Sequence, residues 1–144
     1  MQYTSVRLEA SNLDAIYEQY KDSIIIGIAP HYNLQEDKGE CHAVMIYKKH
    51  SKHLVKECSG IQSPHKCAIL GMQHAASQVK IAKPILLLVT SHFGLKKALK
   101  NKGKNRDELQ EFIKILEEKG CPSVTEIFIE NGKQKLNKLC APEN

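Results

Sequence analysis

A run of basic side chains beyond the middle of the chain is the feature with the clearest chemical meaning. Six positive charges fall within eleven residues, at Lys96, Lys97, Lys100, Lys102, Lys104 and Arg106. Lysine is suited to phosphate contacts that do not depend on base sequence, and counterion release supplies the affinity. We therefore take these residues as the candidate nucleic-acid-binding site. A solvated loop kept for solubility would have the same composition, and few aromatic residues lie among the lysines to stack on bases.

The surroundings of this run carry one sign of charge. Between Cys58 and Arg106 there is no Asp or Glu, and all sixteen acids of the chain lie outside this window. The whole chain has a formal net charge of +5. Such a section predicts a basic face, and basic faces commonly meet nucleic acid, acidic proteins or anionic lipid.

Other residues that could do chemistry have weaker patterns. Ser91 and His92 are neighbours, but a base must reach the nucleophile in space and be oriented by a third group. His50-x-x-His53 has metal-like spacing without a second matching pair. The five cysteines include no C-x-x-C and predict reduced, mostly buried thiols. The sequence therefore predicts no catalytic residue, no metal and no cofactor.

Length and composition bound the class of protein. The 144 residues fit one domain (1–144), which we divide into an N-terminal extension with a helix (1–22) and a core (23–142). The first residues lack the apolar stretch of a secretory signal, and the longest apolar runs are too short to span a bilayer. We expect an intracellular protein, cytoplasmic or nuclear, with no membrane partner.

Periodicity and turn residues predict the elements that would position these side chains. Residues 11–20 form a first helix, and Pro30 ends the first strand, with a turn over 31–38. Three strands joined by short turns are antiparallel, and strands that follow helices are parallel crossovers. The result is an α/β fold with a five-stranded mixed sheet flanked by helices and an extra N-terminal helix. The predicted strands are 23–29, 40–48, 52–58, 85–90 and 123–130, and the later helices are 63–82, 91–100, 106–119 and 133–141.

Three local patterns occur in order within this frame. They are CAILG followed by Ala75, LVTSHF leading to Ala98-Leu99, and LNKLC near the end of the chain. Together with the order of elements over 23–142, they resemble the ribonuclease H domain, particularly the retroviral and retrotransposon type. The resemblance implies a ribonuclease H-like fold.

The sequence departs from that family where its chemistry is carried. The family uses two divalent metals, held by carboxylates, to activate water and stabilise the leaving oxygen. The four carboxylate positions fall at Gly27 or Ile28, Ala68, Ser91 and Asn137, and none is acidic. We therefore expect that the chain is a pseudo-ribonuclease H, a domain of this type without enzyme activity.

Two functions from different classes remain open. Some members of the family carry a basic protrusion in the region that corresponds to residues 96–106 of this chain. By resemblance, this run would bind RNA, an RNA–DNA hybrid or another duplex. The alternative is a protein-interaction or scaffold domain of retroelement origin with no nucleic-acid ligand. Its distinguishing feature would be an exposed apolar patch, which the helix over 11–20 could supply.

Overall fold

The computed structural model describes residues 1–142, which form an α/β structure with a mixed six-stranded sheet flanked by helices. A short 3₁₀ turn, Ala10–Asn12, precedes the first helix. The strands are β1 Gln2–Glu9, β2 Ile24–Asn33, β3 Lys38–Tyr47, β4 His50–Ser59, β5 Ile85–Val89 and β6 Ser123–Glu130. The helices are α1 Leu13–Gln19, α2 Pro64–Ser77, α3 Leu95–Leu99, α4 Arg106–Glu118 and α5 Lys133–Cys140.

The sheet has the strand order β1-β6-β5-β2-β3-β4. The pairs β1–β6, β5–β6 and β2–β5 are parallel, whereas β3 pairs antiparallel with both β2 and β4. The two central strands are apolar throughout their paired region. Every residue of β5 and of the stretch 24–29 of β2 is buried. Helices on both faces of the sheet account for these continuous runs.

Each face of the sheet has its own core. On one face α2, α3 and α4 pack around Met72, Phe112 and Leu116, which are fully buried. On the other face α1 and α5 cover Ile25 and Leu88. Each fully buried aliphatic side chain contributes about 1.5–3 kcal/mol relative to exposure, so the sheet is held from both sides. Among the residues described, no helix is long and apolar enough to cross a membrane.

The prediction of five strands was wrong by one. Residues 2–9 were assigned to an extension carrying only a helix, but they form the edge strand β1, in parallel register with β6. The helix predicted over 11–20 is present as α1. The strand β1 was not predicted because its partner lies more than a hundred residues away, and only three of its eight residues are partly buried.

Three predicted boundaries also need correction. The first strand continues through Pro30 to Asn33, because β2 pairs with β5 only as far as Gly27 and leaves an open side where the missing N–H is tolerated. The short helix α3 starts after Gly94, whose φ of +92° turns the chain, and not at Ser91. Helix α2 ends at Ser77, so the predicted extension to residue 82 was wrong.

Close contact between α2 and β3 depends on Gly71. A Cβ at this position would lie 2.3 Å from Cys41 Sγ and 2.7 Å from its Cβ. We predict that Gly71→Ala lowers the free energy of unfolding by about 1–3 kcal/mol, the usual cost of overpacking a core. Urea unfolding would measure this, with Ser77→Ala, at an exposed position of the same helix, as the control. Equal stability of the two variants would contradict the close contact.

Candidate functional site

The basic segment, residues 96–106, covers most of α3, the loop that follows and the first residue of α4. The six predicted cations, Lys96, Lys97, Lys100, Lys102, Lys104 and Arg106, are all exposed. Helix α3 is anchored beneath them, because Leu95 and Ala98 are each only 1% exposed. The sequence therefore places a charged outer surface on a fixed apolar base.

Hydrogen bonds hold the loop of this segment against α4. The side-chain amide of Gln110 donates from Nε2 to the Ala98 carbonyl at 2.8 Å and to Asn101 Oδ1 at 3.2 Å. Arg106 Nη1 donates to the Asn101 carbonyl at 3.2 Å. Asn101 has a positive φ of 60° and Gly103 one of 101°, so the backbone makes two tight changes of direction. The loop thus presents its lysines from a defined conformation.

The charges of the basic segment are largely uncompensated. Arg106 Nε lies 3.8 Å from the exposed Asp107 carboxylate. Within residues 1–142, none of the five lysines takes part in an ion pair. Ammonium groups that form no ion pair remain available for an anionic ligand.

A cavity of about 650 Å³, here called the strand-end cavity, opens where the parallel strands end. It is lined by Pro30 of β2, Ser91 just after β5, and Ile129 of β6. Ligands in open α/β sheets bind in this crevice beyond the carboxyl ends of the strands. Its lining includes Lys133 and contains no Asp or Glu.

The four positions aligned with the family's carboxylates separate into two groups. Ser91 and Asn137 both line the strand-end cavity. Ile28 and Ala68 are buried in the core between the sheet and α2, and Gly27 packs beneath α5, so none of these three lines it. Over the described range, no group of three or more His, Cys, Asp or Glu side chains could hold a metal ion. The residues at these positions do not fit the divalent metals of that chemistry.

A second, smaller cavity of about 350 Å³, here called the edge cavity, lies between the edge of the sheet and α3. Strand β1 contributes Tyr3 and Ser5, and β6 contributes Glu126. Helix α3 contributes Lys96 and Lys97, so two of the six predicted cations form part of its wall. The remaining lining comes from His92, Gly94 and Leu95.

Glu126 carries a carboxylate into this wall at only 5% exposure. Tyr3 Oη donates a hydrogen bond to Glu126 Oε1 at 2.6 Å. Burial and this hydrogen bond to the carboxylate both raise the pKa of Tyr3 well above its ordinary value. The phenol therefore remains a donor at neutral pH and holds the carboxylate in place.

An aromatic stack joins the walls of the two cavities, since His92 lines the edge cavity and Phe128 lines the strand-end cavity. The ring of His92 lies 4.3 Å from that of Phe128, with an interplanar angle of 6°. Arg7 Cζ lies 5.3 Å from the Phe128 centroid, and Arg7 Nη1 is bonded to Glu130 Oε1 at 2.8 Å. Phe128 also lines the strand-end cavity, so this stack separates the two cavities.

The weaker catalytic candidates are not assembled into a site. Ser91 lines the strand-end cavity whereas His92 lines the edge cavity, so they do not share a pocket. All five cysteines are buried. Burial raises the pKa of Cys67 and of Cys140 to about 12 each, which leaves almost no reactive thiolate at neutral pH.

A cavity of about 700 Å³ lies elsewhere, against β3 and β4. Three glutamates, Glu36, Glu40 and Glu57, line it. A phosphate ligand would be repelled there, so this cavity is not a candidate for the ligand of the basic segment.

The apolar side chains of the N-terminal helix α1 pack inside the domain. Leu13 is 5% exposed and Ile16 is 2% exposed, and both pack against the sheet on the α5 side. This helix therefore does not offer the exposed patch that an interaction domain would need.

Tyr3, Glu126 and the His92–Phe128 stack were absent from the predicted site. The alternation Val6-Arg7-Leu8-Glu9 was a signal for a strand at the N-terminus, and Glu126 stands out as a charge within an apolar strand. Neither signal tells which distant residues meet.

No protein-family model matches this chain, and no curated protein matches its sequence.

We predict that Tyr3→Phe destabilises the fold by about 1–3 kcal/mol at neutral pH, because a buried carboxylate loses a donor. The raised pKa means that the phenol stabilises the fold fully below about pH 10 and less as the pH rises further. The gap between native protein and variant should therefore shrink from pH 9 to pH 11 in urea unfolding. Tyr17 and Tyr32 also have raised pKa values, so the variant should decline too, but less steeply. Parallel declines would rule out this role for Tyr3.

Proposed function

We propose that this chain is a ribonuclease H-like domain without catalytic activity that serves as a nucleic-acid-binding platform. The observation that carries the proposal is the basic segment, in which five exposed lysines stand on an anchored helix and a hydrogen-bonded loop and form no ion pair with another residue of 1–142. Phosphate contacts from such side chains supply affinity without reading sequence.

The arrangement of the strands supports the likeness to the family. Strands β2, β3 and β4 form an antiparallel meander, and β5 and β6 join it in parallel after helical crossovers. The pairing is the one that the resemblance implies, with β1 added at the edge. The lack of carboxylates in the strand-end cavity supports the absence of hydrolysis, since two-metal chemistry needs oxygen ligands there.

The charge balance of the surface also supports the proposal. The basic segment and the strand-end cavity, with Lys133, lie on either side of the His92–Phe128 stack. A phosphate backbone that crosses this region would meet cations on both sides of the stack. Three glutamates, which would repel such a backbone, line the cavity of about 700 Å³ against β3 and β4, and one buried carboxylate, Glu126, lines the edge cavity.

The basic segment is tested by changing Lys96, Lys97, Lys100, Lys102 and Lys104 to Glu. We expect the native domain to bind single-stranded RNA, duplex or hybrid in fluorescence anisotropy, and the variant to lose this binding. If six phosphates are neutralised, log K should fall with log salt at a slope of about −5 on duplex.

A matched control separates a local effect from a change of net charge. Five exposed lysines lie elsewhere in the chain: Lys21, Lys38, Lys49, Lys56 and Lys80. Changing these five to Glu reverses the same number of charges, and we expect most of the binding to remain. Equal loss in both variants, or no binding by the native domain near physiological salt, would overturn the proposal.

A platform without a metal site should be indifferent to magnesium. We expect millimolar Mg²⁺ to leave the melting temperature unchanged beyond an ionic-strength control, because no carboxylate lines the strand-end cavity. Binding of nucleic acid should also persist in a chelator. A rise of several degrees with Mg²⁺ would mean that the folded domain binds the ion and would contradict this prediction.

A further inference from the structure

The edge cavity combines three kinds of group that rarely share one wall. A buried carboxylate, Glu126, stands beside two lysines, Lys96 and Lys97, and an exposed imidazole, His92. A simple anion would be attracted by the lysines but repelled by Glu126. A simple cation would meet the opposite conflict. A ligand that fits must carry negative charge at one end and N–H donors at the other.

The carboxylate of Glu126 has capacity for such donors. A carboxylate offers about four lone-pair sites on two oxygens, and the Tyr3 hydroxyl occupies one of them. In the part of the chain that the structure describes, Glu126 forms no ion pair with a basic side chain. Because a buried charge is costly unless it is hydrogen-bonded, further donors would be stabilising here.

The imidazole adds a planar surface to the same wall. His92 is exposed, and its ring is held parallel to Phe128 by the stack at 4.3 Å. Unpaired nucleic-acid bases stack on aromatic side chains whose orientation is fixed in this way. Lys96 and Lys97 stand where they could meet the phosphate attached to a stacked base. An anion, a planar ring and N–H donors together describe a nucleotide.

We infer that the edge cavity holds one unpaired base of a single-stranded nucleic acid and selects guanine through Glu126. Guanine alone presents two adjacent N–H donors on its Watson–Crick edge, which match the two oxygens of a carboxylate. Adenine and cytosine present an amino group beside an acceptor nitrogen, and uracil places its N–H between two carbonyl oxygens. These three bases would bring an acceptor towards Glu126, which costs free energy in a partly dry site.

The inference rests on the proposed nucleic-acid binding and gives it a substrate class. Phosphate contacts fix position whereas contacts to base edges specify sequence, and the two roles belong to different residues here. The basic segment supplies the first, and Glu126 supplies the second. The Watson–Crick edge is free only in an unpaired base, so the site favours single strands over duplex.

The experiment compares short oligothymidylate with the same oligonucleotide carrying one central guanine, adenine or cytosine. Binding to the native domain is measured by fluorescence anisotropy near physiological salt. We expect the guanine probe to bind roughly tenfold more tightly than the others, within the range for a bidentate pair with a base. Guanosine monophosphate should likewise compete better than the other three mononucleotides.

The decisive variant is Glu126→Gln, which keeps the size of the side chain and still accepts the Tyr3 hydrogen bond. We expect it to lose the preference for guanine, because an amide offers one acceptor and one donor and cannot accept both donors of guanine. The matched control is Glu57→Gln, which removes the same charge from an exposed position on β4 and should keep the preference. A thermal melt of each variant checks that it is folded.

A second variant, His92→Ala, tests the stack at an exposed position where the fold is not at risk. It should weaken binding of every probe roughly tenfold, as for loss of one stacked base, while the preference for guanine remains. Salt-sensitive binding without a preference for guanine, or a preference that survives in Glu126→Gln, would overturn the inference and leave the proposed function standing. No binding of any probe would overturn both.

Discussion

Burial of the two central strands on both faces is the constraint on which the rest of the structure depends. Every residue of strand β5 and of the stretch 24–29 of β2 is buried, so helices must cover the sheet on each side. The connection from β2 to β5 runs through two further strands and α2, and the two strands pair in parallel. Their carboxyl ends therefore lie at the same edge of the sheet. The strand-end cavity, the turn after β5 and helix α3 all lie at that edge, and the lysines are carried there by α3.

Strand β1 is the outermost strand of the sheet, beside β6, and forms part of the wall of the edge cavity. Its parallel register sets Ser5 beside Glu126 and Arg7 beside Phe128, so that its side chains share a face with those of β6. Without β1, Glu126 would be a carboxylate at the rim of the sheet, open to water. With β1 in place it is buried and receives the Tyr3 hydroxyl. The same pairing that completes the fold therefore also creates the buried charge, whose desolvation must be offset by hydrogen bonds.

The sequence predicts well those elements whose signal is local. The central strands are apolar runs, α2 begins with Ser63 accepting from Lys66 N–H and with Pro64 in its first turn, and α4 follows a clear 3.6-residue period. The basic segment could also be predicted, because its lysines are neighbours in the sequence. Contacts between residues far apart in the sequence could not be predicted. Tyr3 and Glu126 are separated by 123 positions, and no local pattern states that they meet.

The separation of roles that we propose for this surface has a physical basis. Lysines on a hydrogen-bonded loop attract phosphate at long range, but their energy is nearly the same for every sequence, so they cannot discriminate. A buried carboxylate has the opposite properties. It weakens the pull on any anion, and only a ligand with the right donors recovers that loss. Specificity of this kind is a penalty against wrong partners as much as a gain from the right one. In the binding that we propose, a single Glu beside Lys96 and Lys97 costs general affinity and gains selectivity.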